Sequence, residues 1–128
     1  MTKIWEKALR AAALARVSFD LGDFDGTANR AYYAMFDAAR ALLRQRQGLT
    51  ADLTKRHSTT IEQFSLFYAK TGLVDKALGR AFRSAFDARA KADYGDASID
   101  IDAAILLLAD MDAFLAAVAP LLHESPAS

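Results

Sequence analysis

Asn29-Arg30-Ala31-Tyr32-Tyr33-Ala34-Met35-Phe36-Asp37-Ala38-Ala39-Arg40-Ala41-Leu42-Leu43 is the stretch whose reading decides the fold. Placed on a helix at about 100° per residue, Ala28, Ala31, Tyr32, Met35, Ala38, Ala39 and Leu42 gather on one broad arc, with Phe36 and Leu43 at its edge. That arc is a core face. Opposite it, Arg30, Tyr33, Asp37, Arg40, Arg44 and Gln47 follow at intervals of three and four. With Asn29 beside it, this stripe can bind a ligand or simply face water.

Outward from this segment, glycines and caps divide the rest of the chain. A helix over residues 24–47 starts behind Asp23, whose carboxylate can accept from the first free N–H groups, and stops at Gly48. Before it, Ile4, Trp5, Ala8, Leu9, Ala12, Ala15 and Phe19 trace an amphipathic helix ending at Gly22. After it, residues 49–54 read as a surface loop that delivers Lys55-Arg56-His57-Ser58 to a third helix. Thr59 and Glu62 stand in capping-box spacing there, ahead of a buried face of Ile61, Phe64, Phe67 and Tyr68. A fourth helix runs from about Val74 to Tyr94, with Leu78, Ala81, Phe82, Ala85 and Phe86 inward and Gly95 as its C-cap. Ser98 or Asp100 caps the last helix, whose expected spine is Ile101, Ile105, Leu108, Met111, Leu115, Val118 and Leu122. Pro120 ends or kinks it, and residues 124–128 form a disordered tail. The expected architecture is all-α: a single domain over residues 3–123, an antiparallel up-and-down bundle of about five helices.

Composition agrees with this. The chain has 128 residues, enough for one domain with a core of its own, and its 53 % hydrophobic content is rich in alanine. The absence of cysteine excludes disulfides, thiolate metal sites and cysteine nucleophiles. Two histidines, His57 and His123, are too few for a histidine-rich metal site, so neither metal nor cofactor is expected. No uninterrupted apolar run approaches bilayer length and no signal-peptide layout opens the chain, so a cytoplasmic protein without membrane contact is expected. A net charge of zero argues against a constitutive, strongly electrostatic nucleic-acid binder. The charge is nevertheless split: 16 basic against 9 acidic residues up to Lys91 give +7, and 7 acidic residues after it give −7. A local basic surface remains available.

Besides the polar stripe of residues 30–47, two features offer chemistry. Phe82, Phe86, Arg89 and Asp93 lie in one line on the fourth helix, so a polar pair extends an apolar stripe. An Arg four residues before an acid is the less favourable order, and Asp93 lies near the negative end of the helix dipole, so local helix energetics do not explain it. The pair fits a surface ion pair as well as a site. His57, at a helix start beside Lys55 and Arg56, fits a neutral acceptor or an anion contact, and equally a plain capping residue. His123 sits near the chain end and reads as incidental. No phosphate loop, dinucleotide fingerprint, zinc spacing or nucleophile elbow occurs.

Several blocks in order, Asn29 to Phe36 with Ala38 to Leu43, His57-Ser58 with Phe64, Thr71-Gly72-Leu73, and Arg89-Ala90-Lys91-Ala92-Asp93-Tyr94, resemble the HEPN domain superfamily, specifically its small stand-alone members. The match covers nearly the whole chain. This resemblance implies a helical bundle that forms a homodimer, with polar residues of its second and fourth helices facing each other across the dimer. It further implies a toxin or defence protein acting as a metal-independent ribonuclease and encoded beside a minimal nucleotidyltransferase. Carried onto this chain, the family's catalytic Arg is Arg89 and its modifiable Tyr is Tyr94. The family's His after that Arg is missing: Asp93 stands nearest, and His57 lies on another helix. The expected catalytic set is therefore Arg89, carried over by the resemblance, with Asp93 and His57 sharing the work of the missing His, and Asn29, Arg30 and Tyr33 hold a nucleotide or RNA phosphate. A non-catalytic subunit that binds nucleotide or docks on a nucleotidyltransferase stands as the alternative.

Overall fold

In the computed structural model, which describes residues 3–95 and 98–123, the helix at Phe24–Gln47 is enclosed by the others. We label it α2. Asp23 caps it by accepting from the Gly26 N–H at 2.9 Å, and Gly48 closes it in the left-handed conformation at φ 67°, its N–H donating to the Leu43 carbonyl. Only glycine takes that conformation without strain.

α1 (Lys3–Asp20) packs along α2 through an alanine seam, Ala8, Ala12 and Ala15 being buried on one helix and Ala28, Ala31, Ala34 and Ala38 on the other. Side chains this small let the two helices approach closely. Ser18 completes the buried side of α1, whereas Leu9, expected inside, is exposed. The arc read for α2 is correspondingly too narrow. Phe36 and Leu43, read at its edge, are buried, and so are Ala34, Asp37 and Ala41 beyond it, because α1, α4, α5 and α6 surround the helix.

The segment 49–54 is not all loop. Thr50 accepts from the Leu53 N–H at 3.2 Å and caps a one-turn helix, α3 (Ala51–Thr54). α4 (His57–Phe64) begins at His57 behind Arg56, so the Thr59/Glu62 spacing is not its start. It runs on into a π-helical turn, Ser65–Ala69. α5 (Lys76–Tyr94) starts at an Asp75 cap, with Val74 buried just before it, and ends at Gly95.

α6 (Ile101–His123) is capped by Asp100, which accepts from the Ala103 N–H at 2.8 Å, and it continues through Pro120. Its inward face is Ala104, Leu107, Met111, Phe114, Leu115, Val118, Leu121 and Leu122. Ile101 and Ile105 are half exposed, which corrects the expected spine. The helix is apolar almost all round, so periodicity alone does not choose a face. For the same reason the stretch Ile101–Leu122, mean hydropathy 2.0, is by length and composition long enough to cross a bilayer, contrary to expectation. Asp110 and Asp112 interrupt it, and its buried face packs against α1, α2 and α5. Six helices and one π turn among the described residues make an all-α bundle, one short helix more than expected. Residues 124–128 lie outside the described residues.

An aromatic cluster ties α4, α5 and α6 together. Phe114 lies 4.8 Å from Phe64 and 5.1 Å from Phe82, and all three rings are fully buried.

Candidate functional site at the junction of helices two, four and five

The Tyr32 ring is the centre of the site. It is fully buried on α2, inside the core arc, and a buried phenol must find a partner for its hydroxyl. The partner is His57: Tyr32 Oη lies 2.5 Å from Nδ1 of the imidazole at the first position of α4. No other bond of that hydroxyl occurs among the described residues, so the resting phenol donates to Nδ1, which places the ring proton on Nε2. Burial also pushes the phenol's pKa well above its ordinary range, against the pull of Arg89, and so keeps the donor protonated.

The imidazole is held face to face with Phe36, centroids 4.5 Å apart and planes within 11°, with Tyr32 at 5.6 Å and Phe86 at 5.9 Å around it. Burial first, then the positive charges of Arg89 and Arg40, lower its pKa below the ordinary histidine value. His57 is therefore neutral at pH 7, as its place at a helix start suggested, though mainly for a different reason.

Arg89, on α5, carries its guanidinium over the same tyrosine. Its Cζ lies 5.4 Å from the Tyr32 centroid, 5.4 Å from that of Phe86 and 5.8 Å from that of Tyr33. Nη1 donates to Asp93 Oδ2 at 3.2 Å, and Asn29 Nδ2 of α2 donates to both oxygens of the same carboxylate at 3.3 and 3.4 Å. The cross-helix bond explains what helix energetics did not: Asp93 joins α5 to α2. Arg89 Nε is buried and has no hydrogen-bond partner among the described residues.

Of the expected site residues, His57 and Arg89 thus meet at Tyr32, Asp93 and Asn29 are linked to them through Arg89, and half-buried Tyr33 lies under the same guanidinium. Arg30 does not join them by a bond; its Nη1 donates to the Gly26 carbonyl of its own helix at 3.3 Å. Tyr94 is exposed at the end of α5. The sequence reads Tyr32 and Phe36 as packing residues and places Arg40 on a stripe that either binds a ligand or faces water. A tyrosine within an otherwise hydroxyl-free core arc was the available signal for Tyr32. Arg40 Cζ sits 5.5 Å from the Phe36 centroid, and its Nη1 donates to Asp37 at 3.1 Å. That carboxyl is buried, so its pKa rises even though Arg40 opposes the shift. Among the described residues no three His, Asp or Glu side chains cluster so as to hold a metal ion.

The arrangement offers an N–H donor at neutral Nε2 and a guanidinium one tyrosine ring away, both suited to phosphate oxygens. The tautomer with Nδ1–H donating to the phenol oxygen turns Nε2 into a proton acceptor.

Comparison with known proteins places the chain. A model of the HEPN domain matches residues 1–121. Two Methanocaldococcus jannaschii proteins, each named "Putative toxin", are 34 % identical over 95 residues and 31 % identical over 102, which is 73 % and 79 % of this chain. The chain matches 65 % of the length of each. An Archaeoglobus fulgidus protein named "UPF0332 protein" is 34 % identical over 110 residues, 85 % of this chain and 84 % of its own length. The chain belongs to the HEPN domain family.

Proposed function

We propose that this HEPN protein is the toxin half of a toxin–antitoxin pair, a metal-independent endoribonuclease that works in the cytoplasm as a homodimer and is neutralised by a minimal nucleotidyltransferase. The observation that carries this reading is the bracketing of one tyrosine by Arg89 and His57 from different helices, Cζ at 5.4 Å and imidazole centroid at 5.6 Å. It supplies across α4 and α5 the Arg and His that the family resemblance expects along a single helix. The names of the two M. jannaschii relatives support the toxin part.

In the reaction, Arg89 and Asn29 hold oxygens of the scissile phosphate. His57, with Nδ1–H donated to Tyr32, takes the 2′-hydroxyl proton at Nε2. The 2′-oxygen attacks the adjacent phosphorus, and the 5′-oxygen leaves and receives a proton from the imidazolium through water. The products are a 2′,3′-cyclic phosphate and a 5′-hydroxyl, and His57 returns to neutral. Total RNA incubated in EDTA is to be cut by the unsubstituted protein and not by Arg89→Ala; no cleavage by either ends this reading.

A second reading rests on Asp93. It stands near the place of the expected histidine and already engages Arg89 and Asn29, as befits a non-catalytic site that binds nucleotide or docks on the nucleotidyltransferase. Co-purification of an RNase-inactive protein with the neighbouring nucleotidyltransferase supports it, and separate elution counts against it.

A further inference from the structure

A second polar feature lies on a different side of α5. Between the π turn and the first half of that helix runs a cleft of about 380 Å³, within the size range of ligand pockets. Its walls carry Lys70, Lys76, Arg80 and Arg83 against the single carboxylate of Glu62. Among the described residues none of the four cations has a salt-bridge partner, although Asp87 stands one turn beyond Arg83. Unneutralised charge of one sign in a concave surface focuses its field outward.

The floor of the cleft is built for close approach. Gly79 faces Ala69 of the π turn, and a Cβ at position 79 would stand 3.0 Å from the alanine Cβ. A glycine inside an α-helix costs about 0.5–1 kcal/mol relative to alanine. Here it lets α5 settle against the π turn, which brings Lys70 into one cleft with the cations of α5.

We propose that this cleft binds the phosphodiester backbone of single-stranded RNA, at a place separate from Arg89 and His57. Lys76, Arg80 and Arg83 follow at intervals of four and three along one face of α5, presenting cations in a row as successive phosphates require. Two of them are arginines, whose planar forks match phosphate oxygens. An acidic protein surface is the weaker fit. The lining includes no exposed large apolar side chain, Ile61 being buried, whereas the centre of a protein interface is aromatic and apolar. The cleft needs no cleavage chemistry, so binding here stands or falls apart from the ribonuclease assignment.

The test is fluorescence anisotropy of a labelled oligouridylate across a salt series, with the unsubstituted protein, the double variant Arg80→Ala/Arg83→Ala, and Arg10→Ala on exposed α1 as control. Both arginines of the double variant are exposed, and circular dichroism checks its fold. Removing two phosphate contacts is expected to weaken binding about tenfold at low salt and to reduce the slope of log K against log salt by about 1.4. Arg10→Ala is to leave both unchanged. A double variant that binds like the control overturns the proposal, as does polyaspartate displacing the RNA at equal charge concentration.

Discussion

Arg89→Met separates a residue kept for function from one kept for stability. The ion pair with Asp93 is partly open to water, the two side chains being 13 % and 33 % exposed, so its loss costs about 1 kcal/mol or less. Losing the cation over Tyr32, Tyr33 and Phe86 costs about 0.5–1 kcal/mol more. Against this, the variant removes a buried Nε without a partner, a group whose burial costs about 1–3 kcal/mol. Methionine keeps the apolar stem against the rings, and Asp93 keeps its bond from Asn29 and gains water. The terms offset to within about 1 kcal/mol, a shift of about 0.5 M or less in the urea midpoint. Urea unfolding followed by circular dichroism reads that shift, and the RNA assay reads activity on the same sample. Wild-type-like stability with no cleavage is the expected result. A loss above about 3 kcal/mol would make Arg89 a structural latch and refute the reasoning.

Other perturbations follow from the same geometry. Tyr32→Phe keeps the ring packing and removes one hydrogen bond, so about 1 kcal/mol and about 4 °C in Tm are expected to be lost. Because the phenol stabilises neutral imidazole, the His57 pKa measured by NMR rises in that variant; an unchanged value contradicts the bond's assigned direction. The folded His57 pKa lies below its unfolded value, so the unfolded chain binds more protons near that range. The corresponding stability is complete above about pH 6.5 and is lost as pH falls through the folded pKa. Tm measured from pH 5 to 8 is to show this slope, and His57→Gln is to flatten it. Phe114→Ala opens a cavity among Phe64 and Phe82 and should cost about 3–5 kcal/mol in urea unfolding, a smaller loss meaning that the cluster collapses to fill it.

The helical architecture was legible because its signals are local. Asp23, Gly48, Gly95 and Asp100 act through the backbone next to them, and the alanines of α2 declare their spacing directly. The face of α6 was not, since a helix apolar all round leaves the choice between Ala104 and Ile105 to its neighbours. The site was half legible. Spacing drew attention to His57, Arg89 and Asp93, and the family resemblance added Asn29 and made them site candidates, but what joins them is separated by 25 residues between Tyr32 and His57 and by 64 between Asn29 and Asp93. No periodicity records such pairings. The burial of Asp37 was not legible for a related reason: its stripe reads as a binding face or a solvated one until α2 is seen to be enclosed.

The most direct measurement is the rate of RNA cleavage in EDTA by His57→Gln beside the unsubstituted protein at equal fold content. Glutamine can still hydrogen-bond but cannot take a proton at neutral pH, so the variant is predicted to lose about 10²-fold or more of the rate. Equal rates would contradict the assignment of His57 as the group that moves the proton beside Arg89.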